Sequence, residues 1–107
     1  MAKLKAKTDL TRREILNRLR KNQEILSRYQ VRKIGIFGSY ATGRPGKKSD
    51  IDFVVEFEQP TFDNFMAVYD FLEELFGKKI DLLTPDAIES IRIPSVAENI
   101  KKSVVYA

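Results

Sequence analysis

Two aspartates, Asp50 and Asp52, stand two apart at the head of an apolar run, IDFVVEF over residues 51 to 57. The run has the character of a strand. A strand repeats every two residues, so both carboxylates should point to the same face. Aspartate is depleted in strands. Two on one face repel each other, and burial pushes their pKa values up further. A divalent cation relieves that cost because it supplies positive charge to both. Taken alone, the pair also fits an exposed strand start, or an ion pair with Lys47 or Lys48.

Asp81 lies in a second short apolar run, KIDLL over residues 79 to 83. By itself, a salt bridge to Lys78 or Lys79 would account for it. If the two strands are neighbours, three carboxylates can converge on one patch. Such a set suits one or two Mg²⁺ ions, which also need waters and substrate phosphates to complete their shells. Gly38-Ser39 follows a third apolar run, VRKIGIF over residues 31 to 37. Glycine allows close backbone approach. Backbone N–H groups at a helix start bind anions, and the Ser39 hydroxyl can donate to a phosphate oxygen. A Gly-Ser pair alone is ordinary turn chemistry. The distinctive feature is the spacing: Gly38-Ser39, ten residues, then Asp50-Ile51-Asp52, with strands on both sides.

These residues need elements to hold them. Thr11-Arg-Arg-Glu14 has the form of a capping box, and a helix is expected from there or slightly earlier. Ile15, Leu19, Leu26 and Tyr29 recur at helical spacing along it. Strands are expected over residues 31 to 37, 51 to 57 and 79 to 83. Thr61 can cap a helix whose stripe is Phe65, Val68, Tyr69, Leu72, Leu75 and Phe76, with Gly77 as its stop. Thr84-Pro85 opens a short helix, Pro94 to Lys102 a last one, and Val104 to Tyr106 a closing strand. The first two strands are too closely linked for a helical crossover. The expected fold class is therefore α+β, with a small mixed sheet. Helices are expected on one face, leaving the other partly open for a ligand.

The chain has 107 residues, 19 Lys and Arg against 15 Asp and Glu, and neither Cys nor His. That length fits a single domain over 1–107, with a flexible basic tail at 1–7. Without cysteine, disulfides and thiolate metal sites are excluded. Without histidine, the commonest zinc ligand and every Ser-His or Cys-His triad are excluded. Any metal must sit on oxygen ligands, which favours hard cations. The net charge of +4 is compatible with a polyanionic partner and equally with an ordinary protein surface. No run approaches the length of a membrane span and no secretory signal is evident, so a cytoplasmic protein that makes no membrane contact is expected.

The segment GSYATGRPGKKSDID, residues 38 to 52, resembles the Gly-Ser, ten residues, Asp-x-Asp motif of the DNA polymerase beta type nucleotidyltransferase superfamily. The third acidic position of that family falls on Asp81 in KKIDLLTP. The resemblance runs from the first helix to the closing SVVYA and is strongest to the minimal nucleotidyltransferases, antitoxin members of two-gene modules with HEPN-type ribonuclease toxins. It implies a nucleotidyltransferase fold in which Gly38 and Ser39 hold a triphosphate. Asp50 and Asp52 would bind two Mg²⁺ ions, and Asp81 would bind the catalytic one and help to activate the attacking hydroxyl. ATP is the implied donor. A tyrosine hydroxyl of a cognate HEPN-type toxin is the implied acceptor of AMP, since a chain of this size shows no second domain to hold one, and no direct nucleic-acid contact is expected. Many relatives carry Arg where this chain has Thr42. Arg44, Lys47 or Lys48 could supply that charge, and Arg44 and Lys48 join the expected nucleotide-binding set. Tyr40 could face the nucleotide or pack on the first helix. Two other readings fit the same residues: a non-catalytic antitoxin that occludes its partner, and a small-molecule nucleotidyltransferase of the aminoglycoside-modifying type.

Overall fold

The computed structural model describes residues 10–45 and 49–107; the basic tail, Lys47 and Lys48 fall outside them. The strands are β1 (Val31–Phe37), β2 (Ile51–Phe57), β3 (Ile80–Leu83) and β4 (Val105–Tyr106). They form one sheet in the order β3-β2-β1-β4. β1 is antiparallel to β2 and to β4, whereas β2 and β3 are parallel. The sheet is mixed, as expected. The parallel pair is joined by a long helix, the crossover that parallel strands need.

The first helical region is two helices, α1 (Arg12–Lys21) and α2 (Gln23–Arg28), rather than one. The capping box forms as read: the Thr11 hydroxyl accepts from the Glu14 N–H, and the Glu14 carboxylate accepts from the Thr11 N–H. The interruption is at Asn22. Its side-chain amide and its backbone N–H both donate to the Arg18 carbonyl, which ends one helix and starts the next. Asparagine favours such local bonds over helix interiors. The remaining helices are α3 (Gly38–Thr42), α4 (Phe62–Phe76), α5 (Pro85–Glu89) and α6 (Pro94–Ser103). Thr61 and Thr84 cap α4 and α5 through their hydroxyls, and Gly77 ends α4 with φ at 61°.

The large core lies between the sheet and α1, α2 and α4. Ile51, Phe53, Val55 and Phe57 point into it from β2, and Ile15, Leu19, Val68 and Leu72 meet them from the helices. Each is buried, and a side chain of this kind contributes about 1.5–3 kcal/mol when fully buried. The opposite face is not left bare. α5 and α6 lay Ile88 and Ala97 on Phe37 and Val54, with Leu83, Ile91, Ile100 and Val104 at the margin. This second layer is smaller and follows from Val54 and Phe37, which point away from the main core. At the edge of the sheet, β4 pairs closely with β1 at Gly35, where an added Cβ would meet the Val105 carbonyl at 2.6 Å.

Candidate active site

Strand alternation places Asp52 on the same face as Val54, the face of the smaller layer. Asp81 lies directly beside it: in the parallel pair, Asp52 is the register partner of Asp81. On its other side Asp52 is the register partner of Phe37, the last residue of β1. The chain turns there into α3. Gly38 has φ at 74°, a conformation that favours glycine, and a Cβ at that position would collide with the Asp52 carboxylate. The glycine therefore lets the turn and the carboxylate share one space. Asp50 stands just before β2, close enough for its charge to act on Asp52. The structure thus brings Gly38, Ser39, Asp50, Asp52 and Asp81 to one end of the sheet.

The electrostatics carry the signature expected of crowded carboxylates. Burial pushes the Asp52 carboxyl up to about 6; a hydrogen bond with Asp81, the Asp81 charge and the Asp50 charge act in the same direction. Among the described residues, no Lys or Arg forms an ion pair with Asp50, Asp52 or Asp81, so the alternative of a salt bridge from Lys78 or Lys79 to Asp81 is not realised. Nor do three acidic side chains among the described residues close into a metal-ligand group. What is present is a converging pair, Asp52 and Asp81, with a third carboxylate nearby. Such an incomplete set fits Mg²⁺, which is commonly held by one or two carboxylates plus substrate phosphates rather than by a protein cage.

The turn itself is well braced. The Ser39 carbonyl accepts from the Thr42 hydroxyl at 3.1 Å and from the Arg44 N–H at 2.9 Å, and the Gly43 N–H also donates to it. Thr42 serves here as a cap through that hydroxyl. The Arg44 side chain is exposed beside the turn, and Lys48 lies outside the described residues. Tyr40 is buried in the main core, with Lys78 Nζ 5.7 Å from its ring centroid, so it packs within the fold. Sequence reasoning missed Arg12, whose guanidinium donates to the Ala41 carbonyl of α3 at 2.8 Å. The available signal was an arginine at the first position of a helix, where the dipole disfavours a cation.

Comparison with known proteins bears on this arrangement. The nucleotidyltransferase domain model matches residues 12–107. A Methanocaldococcus jannaschii chain, provisionally named a protein adenylyltransferase, is 39% identical over 97 residues, covering 87% of this chain and 94% of that one. The protein adenylyltransferase MntA of Thermococcus cleftensis is 35% identical over 85 residues, covering 78% and 82%. Among solved structures, a provisionally assigned minimal nucleotidyltransferase superposes with a TM-score of 0.70 at 21% identity, covering 92% of this chain and 97% of that one. A crystal structure of a mutant of the toxin-antitoxin MntA-HpeT matches with a TM-score of 0.58 at 18% identity, covering 91% of this chain and 72% of that one. The structural likenesses establish the fold. The domain match and the identities to adenylyltransferases go further, and the protein belongs to the nucleotidyltransferase domain family.

Proposed function

We propose that this protein moves AMP from ATP to a tyrosine hydroxyl of a cognate HEPN-type ribonuclease toxin, and so acts as an antitoxin in the cytoplasm. The observation that carries the reading is the pairing of Asp52 with Asp81 in register, directly against the Gly38-Ser39 turn. Asp50, Asp52 and Asp81 are the residues that would hold Mg²⁺, two ions in the reading adopted here. When bound, such ions supply positive charge to the carboxylates and to the phosphate oxygens.

The chain's own residues do the rest. The Gly38 backbone and the Ser39 hydroxyl seat the triphosphate, with Arg44 and Lys48 adding charge from the following loop. Asp81 is the most exposed of the three carboxylates, which supports its role in taking the proton of an arriving acceptor hydroxyl. The acceptor oxygen bonds to the α-phosphorus, the bond to the β-phosphate oxygen breaks, and pyrophosphate leaves. Most of the catalysis is positioning and charge stabilisation, for which neither His nor Cys is needed. The charge of the added AMP would repel RNA from a basic ribonuclease site. Identity of 35% to a protein adenylyltransferase supports a protein acceptor over a small molecule.

The test is an intact-mass measurement. The protein, Mg²⁺-ATP and its cognate toxin are incubated together, and the toxin should gain AMP-sized increments. Asp50→Ala/Asp52→Ala should abolish the gain. An unmodified toxin that the double variant still neutralises would replace this reading with occlusion.

A further inference from the structure

Two arginines of α1 make the same kind of contact with different helices. Arg18 donates to the Leu75 carbonyl at 3.3 Å, near the end of α4, and lies 5.6 Å from the centre of the Phe76 ring. Arg12 donates to the Ala41 carbonyl at 2.8 Å, near the end of α3. The first contact ties two core helices together. The second holds the element that carries Gly38 and Ser39.

α3 has five residues, far below the length at which a helix is stable by itself. Its placement must come from its surroundings. At its start, Gly38 lies so near the Asp52 carboxylate that an added Cβ would collide with it, and the Phe37 cap position offers no side-chain hydrogen bond. In its middle, Tyr40 and Ala41 are buried. At its end, the Ser39 carbonyl is occupied by Thr42, Gly43 and Arg44, while the Ala41 carbonyl takes the Arg12 guanidinium. A cation there complements the negative end of α3. The same cation sits at the first position of its own helix, where it is disfavoured. The arrangement is unfavourable for α1 and favourable for α3.

We infer that Arg12 is a positioning residue for nucleotide binding: its hydrogen bond to Ala41 fixes the tilt of α3 and thereby the place of the Gly38 N–H and the Ser39 hydroxyl. This rests on the reading of that turn as the triphosphate seat. Arg12 touches the end of α3 away from Gly38 and acts only through the helix. A seat that is out of place weakens ground-state and transition-state binding alike, so KM should rise while kcat holds.

Arg12→Met keeps the apolar stem and removes the donor; Arg12→Lys keeps the charge; Arg18→Met is the matched control on the same helix. Arg12→Met should raise the KM for Mg²⁺-ATP about tenfold, the size expected when one charge-assisted hydrogen bond is lost. Its kcat should stay within about threefold. Arg12→Lys should recover part of the loss. Arg18→Met should lower the melting temperature and leave KM unchanged. Direct titration with a non-hydrolysable ATP analogue should repeat the order without any acceptor. Equal KM and equal analogue affinity in Arg12→Met and wild type would overturn the inference, as would an equal rise in KM in Arg18→Met. If wild type binds the analogue but transfers nothing, the proposed reaction fails and analogue affinity alone decides the role of Arg12. If wild type does not bind the analogue, both fail.

Discussion

Replacing Asp52 with asparagine should stabilise the metal-free protein at neutral pH. In the folded chain the Asp52 carboxyl is pushed up from the ordinary 3.8 to about 6, chiefly because burial opposes its charge and then because Asp81 and Asp50 stand beside it. A raised carboxyl pKa means that folding favours the protonated form. The associated stability is fully present below the unfolded value and is lost as pH rises through about 6. Each pH unit of that gap corresponds to about 1.4 kcal/mol, which sets an upper bound of about 3 kcal/mol. Asp52 remains partly hydrated, and solvent screening reduces the figure to about 1–2 kcal/mol. Asparagine carries no charge and can still donate to the Asp81 carboxylate. The melting temperature of Asp52→Asn should therefore exceed wild type by roughly 5–10 °C at pH 7–8 without metal. The difference should shrink as pH falls toward 4. Mg²⁺ should narrow it by raising the wild-type transition. Thermal unfolding followed by circular dichroism across that pH range, with chelator and then with Mg²⁺, provides the measurement. An unchanged or lower transition for Asp52→Asn at neutral pH would refute the reasoning, because it would mean that a positive group already stabilises the ionised carboxylate.

Two further substitutions probe the glycines that permit close approach. Gly38→Ala places a Cβ at positive φ and against the Asp52 carboxylate, so it should cost about 1–3 kcal/mol by urea unfolding and abolish detectable ATP-analogue binding in a titration. Gly35→Ala drives a Cβ into the Val105 carbonyl and the Tyr106 backbone, at 2.6 and 2.9 Å, and should cost about 1–3 kcal/mol. Hydrogen exchange should show the latter loss in the edge pairing, where the Ala107 N–H donates to the Ile34 carbonyl at 2.9 Å.

The parts of this molecule that were legible in the sequence depend on short-range chemistry. Alternation along IDFVVEF is a period-two pattern, and it correctly separates Phe53 and Val55 from Asp52. Thr11, Thr61 and Thr84 cap helices through bonds three residues away, so their roles can be read locally. The meeting of Asp52 with Asp81 was legible only as a condition, that β3 lies beside β2; the parallel register satisfies it. The break at Asn22 was missed because the apolar stripe continues across it to Leu26. The layer formed by α5 and α6 was missed because these helices bury only Ile88 and Ala97, too few to show a period. Arg12 was missed for a different reason: its partner, Ala41, is 29 residues away, and its carbonyl has no sequence signature. Arg44 is exposed beside the turn, and contacts from Arg44 and Lys48 to phosphate belong to the proposed function.

In the proposed reaction, the carboxylates and the Gly38-Ser39 turn direct transfer of the α-phosphorus of ATP to a protein hydroxyl. The most direct measurement supplies ATP labelled in parallel at the α- and at the γ-phosphate, with Mg²⁺ and the cognate toxin. α-Label alone should appear on the toxin, pyrophosphate should be released in equal amount, and both signals should vanish in Asp50→Ala/Asp52→Ala. Transfer of γ-label, or transfer of α-label that persists in the double variant, would contradict it.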